Sequence, residues 1–120
     1  MKQLTIVKNK ILPIKGFESM TLFNLLLTRK DEITQKTINH ETTHLYQAFD
    51  FKLWYLGFII FYIWYILEWI LKLPSALFGY RPYYSISFEQ EAYINQNNND
   101  YLKNRKSFAW LKYIFKLKKK

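Results

Sequence analysis

The sequence predicts a mainly α (α+β) fold: a short N-terminal strand layer packed on a helix over 32–50, an aromatic helix over 53–71, and a C-terminal helix from about residue 87. Three observations carry this expectation. Ile33, Thr37 and Ile38, then Leu45, Ala48 and Phe49, keep helical spacing on either side of residues 40–44. Residues 53–71, LWYLGFIIFYIWYILEWIL, form an apolar run with one charge, Glu68. Residues 17–30, FESMTLFNLLLTRK, mix alternation with a short apolar stretch and contain neither Pro nor Gly.

The strand is expected around 19–28, directly before the first helix, where it would cover that helix or offer an edge to an extended peptide. Asp31 is placed to cap the helix over 32–50. At 1.5 Å per residue the run 53–71 would be about 29 Å long, close to the thickness of a bilayer's hydrocarbon core. Its Trp and Tyr residues are spread along its length rather than gathered at its ends, and basic residues flank it on both sides. Those two features favour a helix lying in the membrane interface, or a re-entrant hairpin with 73–80, over a single span. Pro74, Gly79 and Pro82 make 72–87 irregular. Ser87 is expected to cap the next helix, with Glu89 in its first turn, where the helix dipole favours an acid. After the polar pause Asn97-Asn98-Asn99-Asp100 the helix would resume to about 117. Residues 103–120 hold eight basic side chains and no acid, interleaved with Phe108, Trp110, Leu111, Ile114 and Phe115. That is the pattern of a basic amphipathic tail on an anionic membrane surface.

At 120 residues there is room for one minimal domain, 1–120. There is no cysteine, which excludes disulfides and thiolate-ligated metal sites. Ten Tyr, ten Phe and four Trp are a heavy load for a small soluble domain, and the net charge of +9 favours anionic partners. Together they predict association with anionic membrane lipid, on the cytoplasmic side. Nucleic acid is the weaker reading, since no base-reading motif accompanies the basic tail. Lysines interrupt every short apolar stretch of MKQLTIVKNK, so no signal-peptide core is expected there.

The two histidines of the chain are His40 and His44, with Glu41 between them. This is the HExxH pattern of zinc hydrolases. On a helix, positions i and i+4 share a face, so two imidazoles can bind one Zn2+ at about 2.0–2.1 Å. Glu41, one residue round, can take a proton from water and hand it to a leaving amine, while the metal lowers that water's pKa towards about 7. Such a site needs a third protein ligand, and with no further histidine it must be a carboxylate. Asp50 is too near on the same helix and Asp100 lies in a polar linker, which leaves Glu68, Glu89 and Glu91. A carboxylate within an apolar run, as Glu68 is, is a functional candidate by position, or an acid that meets Lys72 one turn on.

Residues 40–44, with Phe88-Glu89-Gln90-Glu91-Ala92-Tyr93, resemble the gluzincins, the thermolysin-like class whose second active-site helix carries Glu-x-x-x-Asp or Glu-x-x-Ala. The resemblance implies zinc held by His40, His44 and Glu89, Glu41 as general base, Ala92 as the small residue that lets two helices approach, and a peptide or protein as substrate. The chain departs from the fuller pattern by carrying Tyr93 where an Asp would orient a ligating histidine. Tyr93 could instead offer its hydroxyl to a developing oxyanion. The alternative is a non-catalytic membrane-associated protein with a structural metal site. The ligand set also bears on topology: a single span over 53–71 would put His44 and Glu89 on opposite membrane faces, some 30 Å apart.

Overall fold

A computed structural model describes residues 5–8, 19–22, 25–28, 34–53 and 55–119. Helix α1 runs Gln35–Asp50, α2 Tyr55–Lys72, α3 Ser87–Asn95 and α4 Tyr101–Asn104, with 3-10 turns at Leu73–Phe78 and Ala109–Tyr113.

The α+β expectation does not hold, and the fold is helical. Among the described residues, the hydrophobic core lies within 34–119, where no strand forms. Thr5–Lys8, Ser19–Leu22 and Leu25–Thr28 have extended backbone and, among the described residues, pair with one another in the order first, third, second. Ile6, the side chain described among them, is exposed. The apolar face of α1, Leu45 and Ala48, is covered instead by Phe58 and Phe61 of α2 and Phe88 of α3. A strand layer is therefore not needed to bury it.

Helix α1 starts later than the spacing suggests. Thr34 caps it, its hydroxyl accepting from the Thr37 amide at 3.2 Å. Asp31 and Ile33 lie outside the described residues, as does Trp54 at the start of the aromatic run. A tight link joins α1 to α2, with Lys52 in the left-handed region at φ 55°. The two helices touch at Gly57, where a Cβ would come within 2.6 Å of the Ala48 carbonyl oxygen. Only a residue without a side chain permits that approach.

Pro74 cannot donate an i→i−4 bond, so the α pattern ends and the backbone tightens into 3-10 turns as far as Phe78. Gly79, at φ 86°, then turns the chain. Residues 73–78 thus prolong α2 rather than return along it as a hairpin. The segment Tyr55–Phe78 is long and apolar enough to cross a membrane by length and composition. One face of α2 carries the buried Gly57, Phe58, Phe61, Glu68 and Lys72. On the other, Leu56, Ile59, Ile63, Ile66, Leu67 and Ile70 are exposed at helical spacing, continued by Leu73 and Leu77.

Helix α3 has Ser87 to Ala92 buried in succession, because it is enclosed by α1, by α2 and by the C-terminal segment. Its cap is not the Ser87 hydroxyl. Glu68 of α2 accepts from the Ser87 amide and from the Ser87 hydroxyl, each at 2.6 Å, and pairs with Lys72 at 2.7 Å. A carboxylate reaching over from α2 thereby fixes where α3 begins. After α3 no continuous amphipathic helix forms. Helix α4 ends at Asn104, where Arg105 turns to extended backbone, and Phe108 at φ 61° leads into the 3-10 turn that carries Trp110 and Tyr113 in the core. Trp110 lies edge-on to Phe88 at 4.7 Å, and Phe88 stacks on Phe61 at 4.4 Å. The tail thus anchors in the core through Trp110 and Tyr113, while Leu111, Phe115 and its lysines up to Lys119 stay exposed.

Candidate metal centre

Helix α1 presents His40 and His44 one turn apart on the face turned to α3, and α3 presents Glu89 from its first turn. The fully buried Ala92 leaves room for the two helices to come together. The result is a group of three donors that could hold a metal ion, with ligand atoms all within 4.8 Å of one another. Glu89 Oε1 lies 3.0 Å from His40 Nε2 and 3.3 Å from His44 Nε2. Donors about 2.0–2.1 Å from a tetrahedral ion stand about 3.3 Å apart, so these separations suit one small cation. The side chains are 12%, 6% and 3% exposed for His40, His44 and Glu89, which makes His40 the accessible edge.

Each donor is oriented from behind. Gln47 donates its amide N–H groups to the Phe88 carbonyl and to Glu91 Oε1, each at 2.9 Å. Its oxygen must then accept from His44 Nδ1, 2.8 Å away, so that nitrogen carries the proton and the Nε2 lone pair of neutral His44 faces the centre. Gln96 Oε1 stands 2.9 Å from His40 Nδ1 and imposes the same tautomer there. The Tyr65 hydroxyl donates to Glu89 Oε2, leaving Oε1 for the centre, and Tyr65 in turn is hydrogen-bonded to Tyr83. Two amides and a phenol therefore orient the three donors.

Glu41 is buried beside the three donors without belonging to the group, its Oε2 3.9 Å from His44 Nε2. Tyr93 packs edge-on against the His40 ring at 4.3 Å, and its hydroxyl is hydrogen-bonded to Tyr84. Burial, followed by the nearby Glu89 carboxylate, pushes the Tyr93 hydroxyl well above its usual range, so it stays a neutral donor. Burial works against charge on Glu89, but His44 and His40 outweigh it and hold the carboxyl well below the ordinary range. Burial likewise lowers His44, and the Glu89 and Glu41 carboxylates reverse this, pushing it up to about 9.

The other acidic candidates are engaged elsewhere. Glu68 is tied to Ser87, Lys72 and Trp64. Glu91 and Asp50 share Arg105, whose guanidinium meets Asp50 through two bonds of 2.9 and 2.7 Å. Asp100 is exposed opposite Lys103. Of the supporting residues, Gln47 could have been read from its i+3 spacing after His44. Gln96, Tyr65 and Tyr83 carry no such signal, since long-range packing alone brings them in. Compared with family models, characterised proteins and solved structures, the chain matches none.

Proposed function

We propose that the protein is a zinc-dependent hydrolase of peptide bonds working at a membrane surface. The observation that carries this reading is the position of Glu41: a buried carboxylate beside a His-His-Glu donor group, yet outside it. Two imidazoles and a carboxylate form a borderline donor set that suits zinc. When bound, zinc supplies Lewis acidity, and every other part of the chemistry falls to side chains of this chain.

His40, His44 and Glu89 hold the ion, and Gln96, Gln47 and Tyr65 keep their donor atoms turned inward. Glu41 takes the proton of the attacking water and delivers it to the leaving amine, so one carboxylate serves as base and then as acid. Tyr93, at the accessible His40 edge and kept protonated, donates to the oxyanion that develops on the scissile carbonyl.

The apolar stripe of α2 supports the membrane part of the reading. A continuous exposed row from Leu56 to Leu77, with Trp64 and Trp69 partly exposed, is larger than a soluble monomer ordinarily leaves uncovered. The net charge of +9 favours anionic lipid beneath it. The centre packs against Tyr65, on the face of α2 turned away from the stripe. A helix lying in the interface would hold the centre about 10 Å, one helix diameter, above the lipid. An interfacial helix is favoured over a single span because it keeps α1 and α3, which both pack beside the middle of α2, out of the hydrocarbon.

The test compares zinc-loaded wild type with Glu41→Gln on an unstructured peptide substrate. Hydrolysis by the wild type, reduced about 100-fold or more in a variant that still holds one zinc, is the expected result. Equal activity in both would contradict the role of Glu41.

A further inference from the structure

Beside the centre lies a second feature that the hydrolytic reading leaves unused. Arg81, Lys118 and Lys119, with Tyr84 and Tyr93, line a cleft of about 240 Å³. Among the described residues none of the three cations is in an ion pair, and no acid lines the cleft. Their backbone is held in place. The Arg81 amide donates to the Lys118 carbonyl at 2.7 Å, the Lys118 amide donates to Ser85 Oγ at 2.8 Å, and Tyr80 bridges Lys119. The Gln90 amide, donating to the Lys116 carbonyl at 2.8 Å, ties the same segment to α3. The Arg81 guanidinium lies over the Tyr84 ring at 5.5 Å. Tyr93 is the common wall: one side lines the cleft, and its ring packs on His40, the accessible edge of the centre.

Building on the hydrolase reading, we propose that this cleft is a specificity pocket that takes a carboxylate of the peptide substrate, from an acidic side chain or a free C-terminus, next to the scissile bond. The size suits one residue, being below the roughly 300–1,000 Å³ of pockets that enclose whole small molecules. A planar guanidinium accepts a carboxylate through two parallel bonds, and the two lysines add charge without demanding geometry. A lipid phosphate would satisfy the cations equally, but it has no need of a site sharing a wall with a metal ligand.

The test uses the full chain, zinc-loaded, carrying Glu41→Gln so that peptides bind without being cut. The probes are alanine-based pentapeptides with one Glu, their Gln counterparts, and each of these as free acid or C-terminal amide. The carboxylate form that fits should bind about tenfold tighter than its neutral counterpart. Which of the two neutral changes removes the advantage identifies the source of the carboxylate. The advantage should vanish in Arg81→Gln and shrink in Lys118→Gln and Lys119→Gln, all three exposed positions. Equal binding of acid and neutral forms overturns the pocket, as does a preference that survives all three substitutions. So does phosphatidylglycerol in phosphatidylcholine vesicles engaging these residues while the peptides do not. Hydrolysis by the wild type with no acid preference would overturn the pocket and leave the hydrolase standing. Acid-selective binding through Arg81 without any hydrolysis would do the reverse.

Discussion

Two buried polar clusters lie between α1 and α3, built from nearly the same parts, and they differ in where the positive charge comes from. In one, Asp50 of α1 and Glu91 of α3 close on the Arg105 guanidinium, with Tyr101 and Gln47 donating to Glu91. In the other, Glu41 of α1 and Glu89 of α3 close on two imidazoles whose Nδ1 positions are taken by Gln96 and Gln47. The first has its cation covalently in place. The second has ring nitrogens and a carboxylate turned to one point, and without a metal its positive charge is a proton on His44, which a metal cation can replace. Gln47 touches both, so the complete cluster braces the incomplete one. Two acids buried against a permanent guanidinium are structural, whereas acids buried against imidazoles that can give up a proton form a candidate binding site.

The comparison breaks most visibly at Arg105. Arg105→Ala leaves Asp50 and Glu91 buried without a counter-charge and should cost about 3–5 kcal/mol of stability, read from chemical denaturation. If the variant is nearly as stable as the wild type, the cluster is not holding α1, α3 and the C-terminal segment together. Gln47→Leu cuts the brace between the clusters and frees the His44 tautomer. Zinc affinity should fall about 10–100-fold in competition with a chelating dye, while the Arg105 pairs remain.

How zinc binding depends on pH separates the clusters further. His44 is pushed up to about 9 by Glu89 and Glu41. The His44–Glu89 contact therefore stabilises the metal-free fold fully below about 6.5 and is lost as pH rises through about 9. Zinc must displace that proton, so its apparent affinity should rise about tenfold per pH unit between about 7 and 9, measured by titration at fixed ionic strength. Arg105 stays charged throughout, its carboxylates raising it above even its usual range against the opposing effect of burial. Its cluster should show no such slope. The smallest effect is expected for Tyr65→Phe, which removes one donor from Glu89 while keeping the ring. Zinc affinity should weaken about fivefold, roughly 1 kcal/mol.

The sequence made the donors legible better than the frame that holds them. His40, Glu41 and His44 follow from local spacing on one helix, and the α3 pattern around Glu89 and Ala92 could be matched residue by residue. Failure came wherever a residue's partner is distant in sequence. Glu68 and Lys72 read as an i,i+4 pair, but the task of that pair, setting the start of α3 at Ser87, depends on a contact across 19 residues. Arg105 read as one more charge in a basic tail, whereas it is the buried centre of an ion cluster. The tail's helical pattern was lost at Arg105, whose extended backbone ends α4, because burying Arg105 in its ion cluster and Trp110 and Tyr113 in the core outweighs continuing an amphipathic helix. The apolar residues of 17–30 suggested a layer over α1, but the aromatic helix supplies that cover through Phe58 and Phe61.

Metal content of the purified protein tests the central claim most directly, measured by elemental analysis on wild type and on the His44→Ala and Glu89→Gln variants after dialysis. One zinc per chain in the wild type, lost in both variants while Arg105→Lys retains it, is the predicted result. A wild type that holds no zinc after incubation with excess metal, or a Glu89→Gln variant that binds as well as the wild type, would contradict it.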